Sequence, residues 1–295
     1  MLWGYFLKLV IADRIAIYVD TVYGNYAAYP GMYLLIATIL FAFQIYCDFY
    51  GYSTIAVGAA GVMGYKLTEN FDCPYLSTSI SEFWRKWHIS LTGWFKDYLY
   101  IPLGGNRKGK LRKYINLMIV FTVSGLWHGA GRTYLLWGVL NGLFQVVGDA
   151  VSKFRSRINS LFKLQPDAAS HKFFQVLFTF LMVDFTWIFF RSNSLTDAKN
   201  IIYSIITVRN PWILTDASIY NAGLDRRGFS VLLIALMILL FADILKKKKF
   251  NFRLWMDNQE LWFRWLFYFA AIACVITFGI WGTAYDAAAF IYFQF

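Results

Sequence analysis

The chain has 295 residues, of which 59% are hydrophobic, 21% aromatic and only 15% charged, a balance that excludes an ordinary soluble fold and points to an integral membrane protein. The formal net charge of +11 raises nucleic acid as a partner, but the basic residues fall in short clusters between apolar runs. They form no soluble basic face, so a lipid bilayer and not a nucleic acid is the expected partner.

In chain order, the opening MLWGYFLKLVIADR is apolar without a basic leader or a small-residue cleavage site, and is expected to stay in the mature protein. A first long apolar run covers 32–64. It exceeds the roughly 20 residues that cross a hydrocarbon layer, and Asp48, Gly51 and Gly58 predict a break into two helical pieces. The stretch 79–105, SISEFWRKWHISLTGWFKDYLYIPLGG, is amphipathic. Ser79 and Glu82 make a capping box. Trp84, Trp87, Leu91, Trp94 and Tyr98 then recur at steps of three and four, which stacks them on one helical face. With Arg85, Lys86 and Lys96 largely off that stripe, the predicted helix lies in the headgroup region or caps the bundle, ending at Pro102. A second long run, 114–150, breaks at Gly129, Ala130 and Gly131 into helices near 114–128 and 132–150. Further runs cover 173–190, 229–245 and 265–282, and SLTDAKNIIYSIIT at 194–207 predicts a packing helix on the outer side. Cys47, Cys73 and Cys274 form no CxxC and read as packing residues.

Lysine and arginine gather on the cytoplasmic side of short loops. Arg107, Lys108, Lys110, Arg112 and Lys113 precede the 114–150 hairpin and Lys153, Arg155 and Arg157 follow it, which assigns both flanks to the cytoplasm. The run 173–190 then crosses outward to the nearly charge-balanced segment 192–228, and 229–245 returns to KKKK at 246–249. The last helix is expected to leave the terminal FIYFQF on the outer side.

Three histidines are present. His171 lies in a polar, charged loop where solvent exposure is expected. His88 lies beside the aromatic stripe and is expected to point inward. His128 ends an apolar run, and the fifteen residues after Lys113 place it about 22 Å from the basic loop at a rise of about 1.5 Å per residue. Ionisable groups at that depth are expensive and face a bundle interior or a wet cavity. A neutral imidazole held there can accept a proton, as a general base must. Structural roles stand beside this one: His128 capping the broken helix end, and His88 packing alone. Ser124, four residues before His128, allows a Ser-His nucleophilic pair, although Ser124 and Gly125 also permit close helix packing. A metal held by His88 and His128 lacks an obvious third ligand, since nothing in the spacing points to Asp48 or Asp97. Asp48, within YCDFYGYS, reads as a buried acid that pairs with a basic group or stabilises the helix break. PLGGNRKG lacks the GxxxxGK[ST] pattern and reads as a cytoplasmic turn, with anion contact as a possible addition.

EFWRKWHISLTGWFKDYLYIPLGGNRKG, followed by GLWHGAGRTYLLWGVLNG, resembles the membrane-bound O-acyltransferase family, specifically its alginate O-acetyltransferase-like bacterial branch. LVIADRIAIYVDTVYG, QIYCDFYGYSTIAVGAAGVMGY and FIYFQF are similar to the same branch, so the resemblance runs over nearly the whole chain. It implies an all-α, polytopic membrane protein, one domain over 1–295, with a multi-helix core around a central tunnel and interfacial amphipathic helices. It implies His128, in the WHG block, as the catalytic residue and His88, in the WRKWHIS block, as a second functional histidine. It also implies acyl transfer, acetyl in this branch, from a cytoplasmic thioester such as acetyl-CoA, used as substrate with no bound cofactor, to an extracytoplasmic polysaccharide. The bacterial inner membrane is the implied location, and an extracytoplasmic acetyltransferase the implied partner. Family members carry further membrane helices before the block equivalent to KLVIADR, so the chain is expected to be N-terminally truncated. Two alternatives remain open: a transporter or flippase of a lipid-linked glycan with Asp48 and the histidines as a polar pathway, and a non-catalytic scaffold.

Overall fold

The computed structural model describes residues 1–281, which are helical with no strand among them. The terminal FIYFQF, 290–295, and the side assigned to it lie outside the described residues. In chain order, α1 (Leu2–Tyr5), a π-helical stretch (Phe6–Ala12) and α2 (Asp13–Gly24) run on without a break, followed by α3 (Met32–Val62). Next come α4 (Ile80–Lys86), α5 (Ile89–Phe95) and a π-helical turn (Lys96–Tyr100), then α6 (Gly109–His128), α7 (Arg132–Ala150) and α8 (Ser152–Leu161). The chain continues with α9 (Ala169–Arg191), α10 (Leu195–Thr207), α11 (Arg226–Lys247), α12 (Phe252–Asp257) and α13 (Leu261–Phe278). Among the described residues α3, α9, α11 and α13 are each long and apolar enough to cross a membrane, and α7 with α8, bent by 47°, is one further candidate span. The helix α10 forms where the amphipathic stretch 194–207 predicts one.

Two compact units emerge, Met1–Glu69 with Tyr203–Phe295, and Asn70–Ile202. In the first unit, the break expected in 32–64 does not occur: α3 is one helix of 31 residues. Its glycines bring backbones into contact instead of interrupting the helix. A Cβ on Gly51 would lie 2.8 Å from the carbonyl oxygen of Gly4, and one on Gly4 would lie 2.6 Å from that of Gly51, so only two facing glycines let α1 and α3 touch. Asp48 finds its basic partner there. The Lys8 ammonium lies 2.6 Å from its carboxylate and 2.9 Å from that of Asp13. Arg14 donates from Nη2 to the Phe278 carbonyl at 2.5 Å, and Tyr46 donates its hydroxyl to Asp243 at 3.0 Å. Each of these charged groups is therefore matched to a polar partner, as burial demands. Around them Leu7, Ile11, Ile15 and Tyr18 are fully enclosed, while Trp262, Trp265 and Phe269 on α13 are more than half exposed, as a lipid-facing helix requires.

The second unit is built on the α6–α7 hairpin, which breaks at Gly129–Gly131 as the glycines predict. Its arms cross at glycines. A Cβ on Gly125 would lie 2.5 Å from the Tyr134 carbonyl oxygen, and one on Gly138 would strike the Phe121 carbonyl oxygen. An ion pair between Lys113 and Asp149, at 2.8 Å, ties the open end. The start of α6 and the end of α7 thus share one end of the hairpin, in keeping with both basic flanks facing one side of the membrane.

The single helix expected over 79–105 is not observed. It splits at Trp87 and His88, with His88 in the left-handed region at φ 46°. The segment just before α4 pays for the break by taking up the freed backbone groups. Asp72 donates its N–H to the Lys86 carbonyl, the Ile89 N–H reaches the Asn70 carbonyl, and the Ser90 N–H and hydroxyl reach Asn70 Oδ1. As a result the aromatic stripe divides: Trp84 and Trp87 are buried, but Trp94 and Tyr98 are 53% and 68% exposed. The capping box is present in altered form. Ser79 accepts from the Glu82 N–H at 3.2 Å, and the Glu82 carboxylate accepts from the N–H and hydroxyl of Thr78 instead of returning to Ser79. Burial alone would raise the Glu82 carboxyl, but hydrogen bonds from Lys86 and Thr78 outweigh it and pull the group down to about 2.

Candidate active site

One face of α6 presents Lys113, Leu117, Val120, Ser124 and His128, at steps of three and four, to a cavity of about 1220 Å³. The same cavity is lined by His88 between α4 and α5, by Gln145 and Asp149 on α7, by Arg155 on α8, and by Gln175, Phe178 and Thr179 on α9. It therefore extends along the whole of α6, from the ion-paired end of the hairpin to the histidine at its closed end. At the ion-paired end Asn116, fully buried, donates from Nδ2 to the carbonyls of Leu103 and Gly105. That pins the PLGG turn beside Tyr100 and Asn106, which also line the cavity.

His128 is the last residue of α6 and only 8% exposed. Three rings meet it edge to face: Trp127 at 4.9 Å, Trp137 at 5.1 Å and Phe190 at 5.3 Å between centroids. Such T-shaped contacts hold a ring in one orientation. Trp127 also lies 6.3 Å from the His88 ring, so one indole touches both histidines. Burial drives the His88 imidazole below its ordinary 6.5, to about 4, which keeps it uncharged at neutral pH.

The structure brings His88 and His128 to one cavity, with Ser124 beside them. Asp97 is exposed, and among the described residues no three His, Cys, Asp or Glu side chains converge closely enough to hold a metal ion. His171 departs from the expectation of a solvated loop: it opens α9, lines the cavity, and keeps Nε2 buried without a hydrogen-bond partner among the described residues. The loop reading fails because α9 begins at Ala169, earlier than the apolar run starts. The sequence placed Trp84 on the stripe beside His88 but did not single out Trp137 or Phe190 as neighbours of the site. The hairpin was the available signal for Trp137, because a tight turn at Gly129–Gly131 folds the first turns of α7 back over the last turns of α6.

Comparison with known proteins carries the chemistry further. The model of the membrane-bound O-acyltransferase family matches residues 1–191, a span that contains both cavity histidines. The chain belongs to this family. It is thus a multi-pass membrane protein with an all-helical fold. Among curated relatives, a probable alginate O-acetylase of Pseudomonas fluorescens is 36% identical over 82% of this chain and 45% of its own length. A peptidoglycan O-acetyltransferase of Helicobacter pylori is 36% identical over 69% of this chain and 37% of its own length. A teichoic acid D-alanyltransferase of Streptococcus thermophilus is 32% identical over 41% of this chain and 31% of its own length. The chain spans less than half the length of each of these O-acyltransferase-family relatives.

Proposed function

We propose that the chain is a membrane O-acyltransferase that moves an acyl group, acetyl by its similarity to the two O-acetyl-transferring relatives, from a thioester to hydroxyls of a polysaccharide. The observation that carries this reading is the single cavity joining His128 and His88 to the basic end of the α6–α7 hairpin. On the charge assignment from sequence that end faces the cytoplasm, so a donor such as acetyl-CoA enters beside Arg155 and reaches His128 along α6. The acceptor arrives from the opposite side of a bacterial inner membrane. No bound cofactor is needed, and an extracytoplasmic acetyltransferase is the partner that would complete delivery. Residues 1–295 act as one catalytic domain in this reading.

In the reaction His128 is the general base. Its imidazole takes the proton of the acceptor hydroxyl as the oxygen attacks the thioester carbonyl; the carbon–sulfur bond breaks, a carbon–oxygen bond forms, and the departing thiolate recovers the proton. The edge-to-face rings of Trp127, Trp137 and Phe190 hold the base in one orientation. His88, uncharged at neutral pH and lining the same cavity, is placed to hydrogen-bond the reacting groups.

The test is incubation of membranes carrying the protein with labelled acetyl-CoA and either alginate or peptidoglycan. Label is expected on a glycan, and His128→Ala is expected to lower the rate by roughly 10²- to 10⁴-fold. Full transfer by His128→Ala removes its role as base, and glycan movement without an acyl product identifies a transporter instead.

A further inference from the structure

The cavity that His128 lines has an aromatic wall, joined to the histidine through Trp137. Trp84 from α4 and Phe121 from α6 both face the cavity and meet edge to face, with centroids 5.3 Å apart. Behind them stands a second layer that does not line the cavity. Trp84 abuts Trp137 at 5.7 Å, and Trp137 stacks on Trp187 at 5.8 Å and meets Phe190 at 5.1 Å. Those last three side chains are each 1% exposed. Four helices therefore contribute rings to a wall two layers thick, and His128 itself packs against the rear layer. Close-packed interiors of this kind yield little when a ligand pushes on them.

We propose that Trp84 and Phe121 set the length of the acyl group, admitting a short chain beside His128 and excluding a long one. The inference rests on the acyltransferase reading above and adds what that reading leaves open, the side chains that select the acyl group. In this proposal the acyl tail of a thioester at His128 runs towards Phe121 and Trp84, where each methylene that reaches the wall meets a ring backed by another ring. Trp84 acts here by bulk: its indole N–H has no hydrogen-bond partner among the described residues, so phenylalanine in its place removes no hydrogen bond.

The experiment compares acetyl-, butyryl- and octanoyl-CoA as donors, in membranes carrying the full chain and with the glycan that accepts label from acetyl-CoA. Wild type is expected to use acetyl and to discriminate against octanoyl. Trp84→Ala and Phe121→Ala are each expected to raise the octanoyl-to-acetyl ratio of kcat/KM by about tenfold or more, while Trp84→Phe, which removes only part of the bulk, raises it less than Trp84→Ala. Should Trp84→Ala not accumulate, Phe121→Ala carries the comparison. Wild type using octanoyl as readily as acetyl overturns the proposal. So does an unchanged ratio in an alanine variant that still transfers acetyl, and in both cases the acyltransferase reading survives. No acyl transfer by wild type from any donor overturns that reading and the proposal together.

Discussion

At the scale of single residues, His88 combines two unusual conditions. Its backbone sits at φ 46°, uncommon for residues other than glycine although histidine is, with asparagine and aspartate, among those that settle there most often, and such positions persist only when their surroundings fix them. Its imidazole is held to about 4 by burial. The unfolded chain, with an ordinary value of 6.5, binds a proton that the folded site refuses. The stability contributed by the neutral ring is therefore complete above pH 6.5 and is lost as pH falls from there towards 4. Thermal unfolding of the protein in detergent is expected to show Tm descending across that window. In His88→Gln, which cannot titrate there, the descent should be shallower, and equal slopes in the two proteins would remove the effect.

At the scale of elements, the hairpin shows what glycine does in this fold. Gly138 faces the Phe121 carbonyl oxygen without room for a Cβ, so Gly138→Val must push α6 and α7 apart. Overpacking of that kind costs about 1–3 kcal/mol, and a lowered Tm in detergent, with α6 amides exchanging hydrogen faster, is the expected result. The same residue type explains why the hairpin was legible in the sequence and α3 was not. Gly129 and Gly131 flank a turn and do end helices, whereas Gly51 lies inside α3 and serves a neighbouring backbone. Local pattern cannot separate these uses, because the deciding partner, Gly4, lies far away in sequence. The split between α4 and α5 was hidden for a similar reason. Aromatic spacing runs unbroken through Trp87 and Leu91, and only Asn70 and Asp72, from outside the stretch, absorb the backbone groups that the split releases. The two histidines of the candidate site were legible because imidazoles are rare in so apolar a chain, and Trp84 through its stripe; Trp137 and Phe190 were not, since every helix offers such rings.

At the scale of the whole molecule, the buried charges of the first unit are matched within it, whereas Asp184, buried on α9 of the second unit, keeps Oδ1 without a hydrogen-bond partner among the described residues. The rod from Leu2 to Gly24 did not read as a core element because Lys8, Asp13 and Arg14 interrupt its apolar pattern, yet Lys8 bridges Asp13 and Asp48 within the first unit. Replacing that lysine strands two carboxylates. Lys8→Met is expected to destabilise the protein by about 3–5 kcal/mol, and adding Asp48→Asn to recover part of the loss. A double-mutant cycle on detergent-solubilised protein checks this, and purely additive effects would show the cluster to be uncoupled. In the second unit α6 carries both ends of the polar cavity lining, with further polar groups on α7, α8 and α9. Because Lys113 and His128 ride on the same uninterrupted α6, their separation is fixed by helical rise at about 22 Å and not by side-chain reach. On the proposed reading, a small activated molecule such as acetyl phosphate, held by its charge at the Lys113 end, would leave its carbonyl stranded far short of the imidazole, whereas a reagent carried on a long, slender tether bridges the gap.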